Sequence, residues 1–382
     1  MRIALVHDYL SQDGGAERVL RVFHELWPDA PIYTLFFDRD KFGNEFARAD
    51  VRESVIASWP LARKKYQWYM PFMPWATQSY DLSEFDVVIS STSAYAKGIK
   101  VGPNTVHICY CHTPTRYLWS DTESYLKELS QPQPIKWLLS PVITFQRVWD
   151  LRAARERVDY FIANSHTVAQ RISRWYGRTS TVIEPPIDMV PVATPASHDS
   201  RPYFLAGGRL VEYKRVDLVI EVFNRLGLPL KIFGTGRALE QLRKATTSPL
   251  IEFIGQVSEE EKSRLYANAK AFINPQAEDF GITMTEALMQ GCPVIAYGKD
   301  GATEIVQHGV NGVLFQEQTW ESLLDAVLHF DPTNLASPAD IARSAAPYSK
   351  ERFKERIRTF VNQVVTANEA TYADPHRRTT TA

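Results

Sequence analysis

Asn274-Pro275-Gln276-Ala277-Glu278-Asp279-Phe280-Gly281-Ile282-Thr283-Met284-Thr285-Glu286-Ala287-Leu288 opens where the short apolar run Ala271–Asn274 ends. Strand-like chemistry gives way to a polar loop, and a helical pattern starts near Ile282. A helix N-terminus leaves its first N–H groups without intrahelical partners, and Gly281 beside it lets a ligand come close to the backbone. The segment therefore suits a phosphate. Glu278 stands in the loop and Glu286 about one turn into the helix. Acidic groups beside an anion cradle make sense when the ligand also carries hydroxyls, whose hydrogen bonds a carboxylate accepts.

Away from this segment, short β-branched runs alternate with helical patterns along the whole chain. The first half holds strand patterns at Ile3–Val6, Ile32–Phe36, Val87–Ser90, Val106–Tyr110, Tyr160–Ala163 and Thr181–Ile183. The second half holds Tyr203–Ala206, Leu230–Phe233, Ile251–Ile254, Ala271–Asn274 and Val294–Ala296. Alternation of this kind predicts βαβ units and an α/β fold with parallel sheets. Runs so uniformly apolar suit strands covered on both faces. Between the halves, Pro185-Pro186-Ile187-Asp188-Met189-Val190-Pro191, then Pro195, His198, Asp199 and Pro202, interrupt regular structure and read as a linker. Two domains are expected, 1–190 and 191–366. The helical pattern from Ser349 to about Val365 is expected to pack back on the first domain, and 367–382 to form a disordered tail.

The composition agrees with two domains, since 382 residues exceed what one core usually holds. Apolar residues make up 45% and charged residues 23%, ordinary for a globular enzyme. Lysine and arginine number 43 against 44 acidic residues, a balance that argues against nucleic acid as a partner. Three cysteines, Cys109, Cys111 and Cys292, fit a reducing compartment rather than a disulfide framework. The chain begins at once with the strand pattern Ile3–Val6 rather than with a leader, and no apolar run reaches the roughly 20 residues of a membrane span. A cytoplasmic location is expected, with peripheral contact on the inner face of the cytoplasmic membrane.

A second loop agrees with the first. Gly207-Gly208-Arg209-Leu210-Val211-Glu212-Tyr213-Lys214-Arg215 follows a strand and precedes a helix. Its glycines let the backbone pass near a ligand, and Arg209 and Lys214 supply two cations suited to a leaving diphosphate. With Glu-Asp-Phe-Gly at 278–281, a helix after it and a second glutamate seven residues on, the chain resembles the family 4 retaining glycosyltransferases. The resemblance implies the GT-B fold, two Rossmann-like domains with parallel sheets facing across a cleft. It places Glu278 beside the transferred sugar, Glu286 on the ribose hydroxyls, and Arg209 and Lys214 on the diphosphate, with no metal and no other cofactor required. Phe280, Gly281, Ile282 and Gly208 join them at the donor. Gly301-Ala302-Thr303-Glu304 resembles the family's next small-residue turn, although Asp300 stands where many members have glycine. Met284 and Thr285 likewise depart from the usual proline-hydrophobic pair. Gly234-Thr235-Gly236-Arg237-Ala238-Leu239 lacks the last small residue of a dinucleotide fingerprint, so Gly234 reads as part of a turn near the nucleotide.

In the first half, His7-Asp8-Tyr9-Leu10 ends the first strand, and Gly14-Gly15 precedes a helix. The resemblance puts that glycine pair beside donor and acceptor. It also makes His112, in Cys111-His112-Thr113-Pro114, a residue directed at the transferred sugar. The candidate catalytic residues are thus Glu278, His112, Arg209 and Lys214. Ser165 reads equally well as a helix cap. Asp38-Arg39-Asp40 has the spacing of a metal-binding pair but lies far from the other motifs and reads as a loop. Trp59–Trp75 mixes aromatics and methionines with Arg63, Lys64 and Lys65, the chemistry of a surface that meets anionic lipid, and Ile135–Leu139 adds to it. Such a surface suits a lipid-linked saccharide acceptor. Among family members the chain looks most like the bacterial mannosyltransferases of O-antigen and exopolysaccharide assembly, which implies GDP-mannose as donor. A UDP-glucose-type donor is the alternative, or a non-transferring nucleotide-sugar-binding protein or epimerase.

Overall fold

A computed structural model describes residues 1–63, 66–120, 122, 133–190, 192, 197 and 201–373, with only the backbone described at 67, 133–140 and 369–373. Lys64, Lys65, the linker residues Pro191, Pro195, His198 and Asp199, the side chains of Ile135–Leu139 and the tail 374–382 lie outside the described residues. The chain forms two compact units, one of Met1–Pro186 with Glu351–Ala382 and one of Ile187–Lys350.

The first unit is built on seven strands: β1 (Ile3–His7), β2 (Ile32–Thr34), β3 (Val51–Glu53), β4 (Val87–Thr92), β5 (Val106–Cys111), β6 (Tyr160–Ala163) and β7 (Thr181–Val182). Their order is β3-β2-β1-β4-β5-β6-β7, and every pairing is parallel. The second unit has six, β8 (Tyr203–Gly207), β9 (Leu230–Phe233), β10 (Ile251–Gly255), β11 (Ala269–Asn274), β12 (Val294–Tyr297) and β13 (Gly312–Phe315). Their order is β10-β9-β8-β11-β12-β13, again all parallel. Parallel neighbours need crossover connections, which is why strand and helix patterns alternate in the sequence. All eleven strands expected from the sequence are present. Two more, β3 and β13, lie at sheet edges; Val51-Arg52-Glu53 is too polar to carry a buried-strand pattern, whereas Gly312-Val313-Leu314-Phe315 carries a short apolar run that was legible.

Helices α1 (Gly15–Leu26), α2 (Gln133–Glu156), α3 (His166–Tyr176), α4 (Val216–Leu226), α5 (Glu259–Ala267), α6 (Ile282–Met289), α7 (Trp320–Leu328) and α8 (Lys350–Ala373) supply much of the cover. In the first unit α1 and α8 share one core with the sheet: the rings of Phe23 and Phe353 stack at 5.8 Å, and Tyr110 meets both edge-on. Ion pairs from Lys354 to Glu25 at 2.8 Å and from Arg356 to Glu184 add to the attachment. The helix runs on through Ala373, so the expected unstructured tail is corrected over 367–373. The reading of Asp38-Arg39-Asp40 as loop is corrected too. Asp38 caps a short helix, Arg39–Phe42, by accepting from the backbone N–H groups of Asp40 and Lys41. Ser165 does cap α3, accepting from the N–H of Val168 at 3.1 Å.

One buried histidine sets an acid limit on the first unit. His107 lies inside β5, with Nε2 2.8 Å from Ser90 Oγ and Nδ1 2.6 Å from the Arg157 carbonyl. Burial pushes its imidazole down to about 4 from the ordinary 6.5. The unfolded chain then binds a proton that the native chain rejects, so stability falls as pH drops from 6.5 towards about 4. His107→Gln is expected to reduce the pH slope of the urea midpoint in that window by up to one proton, or about 1.4 kcal/mol per pH unit. An unchanged slope would contradict the assignment.

Candidate functional site

Each sheet reverses its order beside its first strand, between β1 and β4 in one unit and between β8 and β11 in the other. Chains leave such neighbouring strands in opposite directions, and the carboxyl ends of the strands open a crevice that binds ligands in α/β folds. The sequence-derived candidates follow these strands. The loop after β8 carries Gly208, Arg209 and Lys214, and the loop after β11 carries Glu278, Phe280 and Gly281. His112 follows β5, which pairs with β4 on the side away from the reversal in the first unit.

In the second unit the two loops touch. A Cβ added at Gly208 would lie 3.8 Å from Thr283 Cγ2, and Lys214 Nζ forms an ion pair with Glu278 Oε1. Gln276 Nε2 donates to the same Oε1 at 2.7 Å and to Asn274 Oδ1 at 2.7 Å. The Glu278 carbonyl accepts from the Gly301 N–H at 2.8 Å. Glu278 is thereby oriented from the strand end, its own loop and the basic loop, while both members of the ion pair keep partial exposure, 18% for Lys214 and 15% for Glu278. Arg209 is exposed on the same loop. Gly281 caps α6 at φ +112°, a left-handed conformation that favours glycine. The amide groups of the first turn of α6 and the two cations make this a place where negative charge is stabilised.

Other predicted donor residues take different positions. Gly234, at φ +107°, is needed for packing: a Cβ there would fall 1.8 Å from the Gly208 carbonyl oxygen. It sets the basic loop against the turn after β9. Phe280 is buried, with Tyr348 edge-on at 5.5 Å, and Ile282 is half-buried at the start of α6. Glu286 is 1% exposed, accepting from Lys262 Nζ at 3.0 Å and Tyr266 OH at 3.2 Å. Lys262 and Tyr266 lie on α5, and no local sequence signal tied them to Glu286. Gln276 lay within the quoted motif, and its amide donor two residues before Glu278 was the available signal.

In the first unit, Gly14 caps α1 and Gly15 begins it. Asp8, just past β1, accepts at 2.7–2.8 Å from the backbone N–H groups of Ser93, Ala94, Tyr95 and Ala96, and from Thr92 Oγ1 at 2.9 Å. One carboxylate thus moulds the loop that follows β4. Sequence reading noted Asp8 only as part of the strand end. His112, just past β5, is buried, with Nε2 2.8 Å from Ser91 Oγ. Burial, with His7 adding, pushes its imidazole down to about 3, so the ring is neutral at neutral pH. The three cysteines are buried free thiols, and burial pushes Cys109 and Cys292 up to about 12, which removes them as nucleophiles. Among the described residues, no group of three or more His, Cys, Asp or Glu side chains is arranged to hold a metal ion.

Comparison with known proteins agrees with both units. A model of the glycosyltransferase family 4 matches residues 13–190, and one of the glycosyl transferases group 1 matches residues 193–331. A GDP-mannose-dependent alpha-(1-6)-phosphatidylinositol monomannoside mannosyltransferase of Mycobacterium tuberculosis is 31% identical over 144 residues, 33% of this chain and 37% of the relative. A glycogen synthase of Pseudomonas aeruginosa is 32% identical over 135 residues, 33% of this chain and 26% of the relative. A poly(glycerol-phosphate) alpha-glucosyltransferase of Bacillus subtilis is 26% identical over 143 residues, 36% of this chain and 21% of the relative. The chain therefore spans well under half the length of these curated relatives. Among solved structures, Anabaena HepE in complex with UDP-glucose has a TM-score of 0.69 at 18% identity, covering 95% of this chain and 100% of that one. A sucrose-phosphate synthase from Thermosynechococcus elongatus also gives 0.69, at 15% identity over 96% and 100%. Two parallel Rossmann-like units, matched in turn by these two models, make this chain a member of the family 4 glycosyltransferases.

Proposed function

We propose that the protein transfers a hexose, mannose from GDP-mannose, onto a lipid-linked saccharide in polysaccharide or O-antigen assembly, with retained anomeric configuration. The observation that carries the reading is the Lys214–Glu278 ion pair beside the glycine-capped start of α6, at the order reversal of the second sheet. Arg209, Lys214 and the α6 amide groups take the diphosphate and stabilise its charge as the glycosidic bond breaks, without a metal. Glu278 and His112 orient the hexose, and Glu286, steered by Lys262 and Tyr266, takes the ribose hydroxyls. The bond from the anomeric carbon to the diphosphate breaks and one to the acceptor oxygen forms on the same face. The acceptor proton passes to the departing phosphate.

Mannose is favoured by the Mycobacterium relative and by a GDP-mannose-dependent alpha-mannosyltransferase of Mycolicibacterium smegmatis, 30% identical over 133 residues. A UDP-glucose donor is the second reading, supported by the UDP-glucose complex of HepE and by the glucosyltransferase among the relatives. Incubation with a panel of nucleotide sugars and a lipid-diphosphate saccharide decides between them. GDP and mannosylated lipid are expected, whereas UDP release with glucosyl transfer would select the second reading. Turnover of the nucleotide sugar without acceptor would leave a non-transferring relative.

The acceptor is taken to lie at an anionic membrane, which the Trp59–Trp75 region meets as a peripheral surface. Trp68, Phe72 and Trp75 are exposed there at 60%, 47% and 53%, with Trp59 against Phe72 and Trp75 at 5.4 and 6.3 Å. Exposed aromatics suit the headgroup region, and Arg63 in the same stretch, paired with Glu53 at 2.7 Å, keeps its side chain partly exposed. No helix among the described residues is long and apolar enough to cross a membrane.

Two substitution experiments follow. Glu278→Ala is expected to abolish transfer and Lys214→Met to lower kcat by about 100-fold or more, both with an unchanged thermal midpoint; full activity in either would remove the site. For the membrane surface, sedimentation with phosphatidylcholine vesicles is expected to rise when phosphatidylserine is added and to fall in Trp68→Ser/Trp75→Ser. Indifference to lipid charge and to both tryptophans would rule that surface out.

A further inference from the structure

The ends of three neighbouring strands bring His112 together with side chains to which the donor-site reading gives no task. His7, the last residue of β1, is the register partner of Ser91 in β4, and Ser91 is the partner of Tyr110 in β5, two residues before His112. Register partners in a parallel sheet project to one face, as do residues two apart on a strand, so the four residues share a face. His7 Nδ1 lies 3.2 Å from Ser91 Oγ, and Ser91 Oγ lies 2.8 Å from His112 Nε2. On the far side of His7, Nε2 is 3.6 Å from Oε1 of Glu17, in the first turn of α1. Glu17, His7, Ser91 and His112 are each less than 10% exposed. Asp8, next in the chain, is occupied by the loop after β4, and the Tyr110 ring lies edge-on to His112 at 5.1 Å.

With His7 as a neutral ring, proton counting along this row leaves one favourable arrangement. A carboxylate only accepts, so the His7 nitrogen facing Glu17 carries the proton, and neutral His7 has a bare Nδ1. Ser91 has one hydroxyl proton, which it donates to that nitrogen, and its lone pairs then accept from Nε2–H of His112. The reverse order would aim a bare His7 nitrogen at a carboxylate oxygen, lone pair against lone pair. We propose that Glu17, His7 and Ser91 form a positioning row that holds His112 as its Nε2–H tautomer, with Nδ1 a bare acceptor for a hydroxyl of the transferred sugar. The sugar contact rests on the function proposed above; the tautomer rests only on the row itself. The low pKa of His112 agrees, since a ring kept neutral is one whose tautomer matters.

The full chain, labelled with nitrogen-15 only at histidine, tests this by long-range proton–nitrogen spectra at neutral pH without substrate, with His112→Gln identifying the signal. The expected result is protonation of His112 at Nε2 in the unaltered protein. In Ser91→Ala, and more weakly in Glu17→Gln, the preference is expected to relax towards a mixture, with kcat/KM lowered about tenfold in Ser91→Ala and recovered in Ser91→Thr. His112 protonated at Nδ1 in the unaltered protein would overturn the proposal by itself, whatever the variants do. So would a tautomer ratio that Ser91→Ala leaves unmoved. Undiminished transfer by His112→Gln, with the Nε2–H tautomer observed, would instead remove the sugar contact and leave the positioning row standing.

Discussion

The order reversal in each parallel sheet is the constraint on which the functional architecture depends. A parallel sheet sends every strand's carboxyl end to the same edge, and crossovers leaving neighbouring strands in opposite directions leave that edge open between them. In the second unit this edge gathers the loops after β8 and β11, so that Lys214 and Glu278, 64 residues apart, form an ion pair. In the first unit it gathers His7, Ser91 and His112 from β1, β4 and β5. Chemistry collects at these ends because non-local side chains converge there on rigid supports.

Charge is handled differently in the two places. Asp8 is buried and its carboxylate is saturated by four backbone N–H groups and a hydroxyl, which makes it a structural fixture: a buried charge left without such partners would be costly. Glu286 is similarly enclosed by Lys262 and Tyr266. The Lys214–Glu278 pair keeps partial exposure and sits with Arg209 and the α6 amide groups, so its charges are available to a ligand as well as to each other. Glycine serves backbone approach at this site in two ways. Gly281 supplies the turn into α6, and Gly234 lets its strand end lie against the Gly208 carbonyl.

Much of this was legible in the sequence because it is local. Uniformly apolar runs bounded by loops marked eleven strands, and Glu278, Gly281, Arg209 and Lys214 lie at strand-loop-helix transitions that periodicity reveals. β3 escaped because an edge strand has one paired side and needs little apolar pattern, whereas the apolar Val313-Leu314-Phe315 of β13 could have been read. The continuation of α8 through Ala373 escaped because 367–373 carries one large apolar residue, Tyr372, too little for a helical stripe. Gln276 could have been found from its place in the motif, whereas Lys262, Tyr266, Ser91 and Glu17 owe their contacts to residues far off in the chain.

By itself the sequence determined the α/β class, the alternation that makes both sheets parallel and the loops that carry charge and glycine. These follow from patterns within a few residues, where backbone geometry and burial act directly. Only the tertiary structure decided which strands became neighbours, that Lys262 and Tyr266 of α5 reach Glu286, and that a serine in β4 stands between His7 at the end of β1 and His112 just past β5. Those outcomes depend on strand register and helix docking, which bring together side chains whose separation along the chain holds no trace of the contact.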